Sequence, residues 1–350
     1  MPRYLGFETG DEQGSPPRTA VLLVNLGTPA APTAEAVRDY LAEFLSDPRV
    51  VEWPRWLWWP VLHGYVLRTR PRRSAELYAR IWRDDGSPLR VFSERLAQGV
   101  RRALAARAPE VEVALAMTYG EPSIRGVIID LMRRGVRRLL VLPLFPQYSA
   151  TSTGAALDAV ARTMLALRWP PALRTVGDYH ADAGYLAALA SSVQAHWAEH
   201  GRGERLLLSF HGIPESCADR GDPYPGQCRD TARRLGQALG LGDDRLVVAF
   251  QSRVGRQSWL RPYTDEMVEQ LAQQDVKRLD VLCPGFAVDC LETLEEVALR
   301  YRAAFLTAGG EQFRYIPALN DSAAHVSVLT QLAWRHLAGW TETAQWAAHA

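Results

Sequence analysis

Cysteine is scarce in this sequence, four in 350 residues. Cys217, Cys228, Cys283 and Cys290 form no C-x-x-C pair and follow no zinc-ligand spacing, which argues against a disulfide framework and a closed structural zinc site. Long apolar runs are missing too. No window approaches the roughly 18 uncharged residues of a membrane-spanning helix, and the opening "MPRYLGFETGDEQGSPPR" lacks the apolar core of a secretory signal. Reduced thiols and a cytoplasmic location are the resulting expectations. Neither charge dominates: 40 Lys+Arg face 39 Asp+Glu, a net charge of +1. No overall field gathers nucleic acid, and none is expected as a partner. The chain also has no G-x-G-x-x-G, no G-x-x-x-x-G-K-S/T and no G-x-S-x-G. Dinucleotide binding, nucleoside triphosphate binding and a hydrolase nucleophile elbow are therefore unsupported.

What is present is a repeat. "VLLVNLGTP" (21–29) is similar to "LLLSFHGIP" (206–214), and "VALAMTYG" (113–120) to "VVAFQSRVG" (247–255). "VRRLLVLPLFPQYSATSTGAALDAV" (136–160) matches "VKRLDVLCPGFAVDCLETLEEV" (276–297), and the order is the same in both halves. Short apolar runs alternating with helical patterns such as "SERLAQGVRRALAARA" predict parallel βαβ units and a sheet buried on both faces. The expected architecture is two similar doubly wound α/β domains, 19–165 and 175–320. A closing helix over 321–340 would be capped by Asn320 or Asp321 and stopped at Gly339. Ligands of such sheets bind at the carboxyl ends of the strands.

His211 ends an apolar strand there and precedes Gly212, where an imidazole serves as a base, as a ligand or as a turn cap. Ser209 shares its face, yet no acid accompanies the pair, so a hydrolase triad is unsupported. Asp289, Glu292 and Glu296 follow the run ending "PGF" at spacings of three and four. On an α-helix they share one side, with Glu295 near its edge, and Leu291, Leu294 and Ala298 form the other. That pattern suits a solvated acidic face, and equally a path of hard oxygen ligands for a divalent cation. "FPQYSATSTG" predicts either an anion site at a helix start or an N-cap by Ser152 or Thr153. Aromatic residues gather at the same motifs, including Tyr78, Tyr119, Tyr148, Tyr224, Trp259, Tyr263 and Phe286, and favour a large flat ligand.

The ordered set "LLVNLGTP", "FLSDPRV", "YARIWRDDGSPL", "YGEPSI", "LPLFPQYSATSTG", "LLLSFHGIP", "RGDPYPGQC", "FQSRVGRQSWLRPYTDE", "PGFAVDCLETLEE" and "PALND" resembles the ferrochelatase family from about 19 to 321. The resemblance implies two Rossmann-like domains around a porphyrin cleft, and insertion of Fe²⁺ into protoporphyrin IX with loss of two pyrrole protons. It implies that His211 and Glu292 share metal binding and proton transfer, with Asp289, Glu295 and Glu296 extending the acidic path. Leu26, Tyr78, Tyr119, Tyr224, Trp259 and Phe286 would line the cleft. Fe²⁺ is then a substrate rather than a cofactor. With no cysteine after Cys290, no 2Fe–2S cluster is expected. Thr118 stands where some members have arginine, and Cys290 where others have histidine. Coproporphyrin or another tetrapyrrole as substrate, and a non-catalytic porphyrin-binding protein, are the alternatives. His211 together with the acidic row argues against the last, because binding alone needs neither a base nor an ion path.

The first half holds about fifty residues between Pro29 and Val113 that have no counterpart between Pro214 and Val247. This insertion, about 50–90, contains "VEWPRWLWWPVLHGYVLRTRPRR". Pro54, Pro60, Glu52 and Arg55 forbid a membrane span. By resemblance the segment is a hydrophobic lip over the cleft, and its tryptophans beside Arg68, Arg70, Arg72 and Arg73 suggest peripheral contact with the inner face of a membrane.

Overall fold

The apolar runs become strands. The structure, a computed structural model, describes residues 4–6, 17–242, 244–255 and 257–341. In the first half, β1 (Arg18–Asn25), β2 (Val111–Met117), β3 (Val136–Pro143) and β4 (Ala172–Thr175) form one parallel sheet in the order β2-β1-β3-β4. In the second, β5 (Arg205–His211), β6 (Leu246–Gln251), β7 (Arg278–Leu282) and β8 (Gln312–Ile316) repeat that order as β6-β5-β7-β8. Residues 19–25 of β1 pair in register with Val111–Met117, and Leu206–His211 with Leu246–Gln251. Both central strands are almost wholly buried, because helices cover both faces, and this is why they read as unbroken apolar runs.

The repeat extends to the turns. After β2 the Pro122 carbonyl accepts from Met117 N–H at 2.7 Å, and after β6 the Pro262 carbonyl accepts from Phe250 N–H at 2.9 Å. The first sheet reaches past residue 165, since β4 lies at 172–175. That edge strand is largely exposed and carries no apolar run to announce it.

The last helix, Ala323–Leu337, closes the molecule by crossing back to the first half. It packs on helix Pro88–Ala105, where a side chain at Gly99 would collide with Val326. Arg174 of β4 donates to the carbonyls of His336 and Ala338 at 2.6 and 2.8 Å. The cap is Ser322, which accepts from His325 N–H at 3.3 Å, and not Asn320 or Asp321. Asn320 takes a left-handed φ of 48° and spends its side chain on Asp289.

The insertion folds as helices Arg55–Val61 and Leu67–Ile81 joined by a wider π-helical turn, Leu62–Val66. Leu62, Val66 and Leu67 turn inward with Leu45, and Trp58 donates to the Leu45 carbonyl at 2.7 Å. Trp53, Trp56, Leu57, Trp59 and Tyr65 remain exposed, Trp56 by 75%. The apolar residues thus form two opposed faces, one packed and one bare. Among the described residues no helix is long and apolar enough to cross a membrane.

Candidate active site

The strand ends of the two sheets supply the site. At the end of β1 the chain turns at Gly27, whose φ of 109° and close approach to the Tyr119 carbonyl leave no room for a side chain. The counterpart Gly212, after β5, lies close to the Gln251 carbonyl and the Trp259 ring, less tightly than Gly27. These contacts explain why both apolar runs break into glycine.

On the first side, Tyr40 from helix Ala34–Leu45 donates to the Gly27 carbonyl at 3.3 Å. Tyr78, from the insertion helix, lies beside Thr28, whose hydroxyl pairs with Ser87 at 2.8 Å. Burial pushes both phenols far above their ordinary range, and the Glu292 carboxylate and Cys290 thiol add to the rise. The two phenols therefore stay protonated and lie near Glu292, across the interface from the second sheet. Leu26 is half-buried beside them, with Tyr119 in the same apolar cluster as Tyr40. Tyr119 is buried, its hydroxyl donating to Asp47 at 3.1 Å.

On the second side, His211 ends β5, half-exposed, opposite Gln251 in register. Its Nδ1 lies 2.6 Å from the Gly212 carbonyl oxygen. A carbonyl only accepts, so Nδ1 carries the proton and a neutral imidazole keeps its Nε2 lone pair available. Gln251 is buried. Its amide donates to the Glu292 carbonyl at 2.9 Å, and its own oxygen accepts from Ser209 at 2.6 Å. Gln251 thus ties the His211 strand to the start of the acidic segment. Phe286 lies 6.4 Å from His211 between ring centroids, and Trp259, half-buried, donates to the Val254 carbonyl at 2.9 Å. Tyr224 is buried close to Cys228.

The acidic row departs from the α-helical expectation. Glu292–Tyr301 winds as a π-helix, and its buried residues include Thr293, Glu295, Glu296 and Val297, while Leu299 is 48% exposed. The wider turn breaks the spacing of three and four, so the carboxylates face inward and Leu294 and Ala298 are only half-buried. Asp289 precedes the helix, buried, and both of its oxygens are taken. Thr293 and Tyr315 donate to one at 2.9 and 2.6 Å, and Asn320 to the other at 2.7 Å. These bonds anchor Asp289 to the π-helix, to β8 and to the start of the closing helix. Glu296 accepts from Ser252 N–H at 3.1 Å and from the Ser252 and Tyr301 hydroxyls at 2.5 Å each. Burial, helped by Glu292, pushes the Cys290 thiol well above its ordinary value. All four cysteines are unpaired and buried.

The "SATSTG" helix start already has its anion. Asp222 accepts from Ala150 N–H at 2.8 Å and from the Ser149 hydroxyl at 3.0 Å. Ser149 is the cap, rather than Ser152 or Thr153, since the helix opens with a π turn at Ala150–Gly154.

The ferrochelatase family model matches residues 18–337, nearly the whole described chain. The chain belongs to the ferrochelatase family. The ferrochelatase of Nitrosococcus oceani is 54% identical over 93% of this chain and 88% of its own, and that of Thioalkalivibrio sulfidiphilus 53% over 96% and 91%. The ferrochelatase of Neisseria gonorrhoeae is 52% identical over 92% and 95%. Among solved structures, SirB from Bacillus subtilis shares the fold at a TM-score of 0.55 and 11% identity, covering 93% of this chain and 98% of its own. CbiX of siroheme biosynthesis does so at 0.50 and 15%, over 92% and 100%. As a ferrochelatase, the protein is a lyase of haem biosynthesis that inserts a metal into a porphyrin.

Tyr40, Thr28 and Gln251 are site residues that motif reading passed over. Gln251 lay within "FQSRVG" and is the strand partner of His211, which the repeat could have revealed. Tyr40 sits in an ordinary amphipathic helix and carries no signal of its own.

Proposed function

We propose that this ferrochelatase inserts Fe²⁺ into protoporphyrin IX, with His211 as principal base and Glu292 as the iron-side carboxylate. The observation that carries the reading is the Gln251 link, which joins the His211 strand to Glu292. The Nε2 lone pair of His211 accepts a pyrrole proton as iron replaces it, and Glu292 offers a hard oxygen ligand to the incoming cation. Two protons leave for each Fe²⁺ bound, so charge balances. Leu26, Tyr78, Trp259 and Phe286 are proposed as apolar walls for the macrocycle. Tyr119, whose hydroxyl is engaged by Asp47, and the buried Tyr224 are proposed to support those walls.

Anaerobic mixing with Fe²⁺ and either protoporphyrin or coproporphyrin, followed by absorption spectroscopy, tests the substrate. Faster metallation of coproporphyrin would overturn the protoporphyrin assignment. His211→Ala that binds porphyrin normally yet metallates at near wild-type rate would remove His211 as base.

The bare face of the lip supports a second part of the proposal, peripheral docking on an anionic membrane at its cytoplasmic side. Trp53, Trp56, Trp59 and Tyr65 are exposed together, and Arg68, Arg70, Arg72 and Arg73 follow them, all exposed. Such a pairing of aromatic and basic groups suits an interface between headgroups and acyl chains. Flotation with phosphatidylglycerol vesicles should carry the wild type up and leave a Trp56→Ala, Trp59→Ala double variant behind. Equal flotation would refute the contact.

A further inference from the structure

Glu295 and Glu296 are buried carboxylates whose outward partners are exposed arginines. Arg80, its side chain 61% exposed, reaches Glu295 Oε1 at 3.3 Å. Arg300, 56% exposed, reaches Glu295 Oε2 at 3.4 Å and Glu296 Oε1 at 3.6 Å. The inner partners of Glu296, Ser252 and Tyr301, are neutral. Among the described residues, the ion-pair partners of the row thus lie at its solvent end.

The two arginines come from different places. Arg300 belongs to the π-helix itself and lies over Tyr301 at 5.8 Å. Arg80 belongs to the insertion helix Leu67–Ile81, whose Tyr78 reaches Thr28 in the cleft. The same helix packs Ala75 and Tyr78 against Leu291, just before the acidic segment. One rigid element therefore carries both a wall of the porphyrin cleft and a counter-ion of the acid row.

We propose that Arg80 is a displaceable plug on the cation route. Its guanidinium holds Glu295 neutralised until a divalent cation takes its place. The exchange trades one positive partner for another at Oε1 while Arg300 stays on Oε2, so the buried carboxylate keeps its charge balance throughout. The inference rests on the reading of Glu292 to Glu296 as the cation path.

The test is steady-state metallation by the full-length enzyme under anaerobic conditions, comparing wild type, Arg80→Gln, Arg80→Lys and Glu296→Gln. Removing one positive charge beside the path should lower the KM for Fe²⁺ roughly three- to tenfold, as expected for a partly screened charge at this range. The KM for porphyrin should not change, and Arg80→Lys should stay near wild type. An unchanged or higher KM for Fe²⁺ in Arg80→Gln, with a raised one in Glu296→Gln, overturns the plug and leaves the path standing. An unchanged KM for Fe²⁺ in Glu296→Gln overturns the path and the plug with it. A parallel shift of the porphyrin KM in Arg80→Gln also overturns the plug, since Arg80 would then act only by holding the lip. Tryptophan quenching by Co²⁺ without porphyrin repeats the comparison at equilibrium and does not depend on turnover.

Discussion

The side chain of Gln251 joins Glu292 to Ser209, donating to the main-chain carbonyl of one and accepting from the hydroxyl of the other. One buried amide thereby fixes the start of a π-helix relative to the strand that presents His211. Gln251→Leu would take this donor from the Glu292 carbonyl and leave the Ser209 hydroxyl with Thr264 alone, at 2.9 Å. We expect a loss of about 1–3 kcal/mol in stability from the lost bonds. We also expect kcat to fall by about two orders of magnitude, because small misplacements of reacting groups are costly. Urea denaturation and single-turnover metallation measure the two losses; a normal kcat would show that Glu292 is positioned by other contacts.

Asp289 offers a contrast with Glu292, three residues later. Its carboxylate is saturated by Thr293, Tyr315 and Asn320. Asp289→Ala should cost about 3–5 kcal/mol, the range for breaking a buried charged network. The surviving folded fraction should keep its KM for Fe²⁺. A change in that KM without loss of stability would return Asp289 to the cation path.

His325 makes stability depend on pH. It is buried in the closing helix, and burial lowers its pKa to about 4, partly offset by the Asn320 carbonyl. The unfolded imidazole titrates near 6.5, so the unfolded chain binds more protons between these values. Stability is therefore full above pH 6.5 and falls as pH drops towards 4. By pH 5 this group alone removes about 2 kcal/mol. Comparing urea midpoints at pH 7 and pH 5 should show a smaller drop in His325→Gln than in wild type. Equal drops would mean that the imidazole charges without penalty.

Two tryptophans of the lip should behave differently. Trp58 packs inward and donates to the Leu45 carbonyl at 2.7 Å. Trp58→Ala should destabilise the protein by about 2 kcal/mol, through lost packing and an orphaned carbonyl. Trp56 is 75% exposed. Its alanine variant should be within about 0.5 kcal/mol of wild type yet bind anionic vesicles less well. Thermal melts and flotation of the same two proteins check both halves of this contrast.

Much of the fold could be read from the chain. The unbroken apolar runs at 21–24 and 206–208 required a sheet covered on both faces, and their common break into glycine marked the strand ends. The ordered repeat implied the two-sheet plan. His211 was visible because it stands at such an end. Caps were less legible: Asn320, Asp321 and Ser322 are all capable, and only the demand of Asp289 for Asn320 left Ser322 to close the helix.

The acidic segment shows where local reading stops. Its spacing of carboxylates and leucines fits an α-helix with a solvated acid face, because 3.6 residues per turn is the default period. Packing chose a π-helix instead. Ser252 and Tyr301 satisfy Glu296, and arginines from two elements meet Glu295, partners far apart along the chain or outside any motif. Periodicity and turn chemistry act between near neighbours, so the sequence by itself determined the strands, their duplicated order and the residues at their ends. Burial of charge depends on partners brought from elsewhere. Only the tertiary structure decided that the acids turn inward, that Gln251 connects them to the histidine, and that the insertion reaches back to them through Arg80.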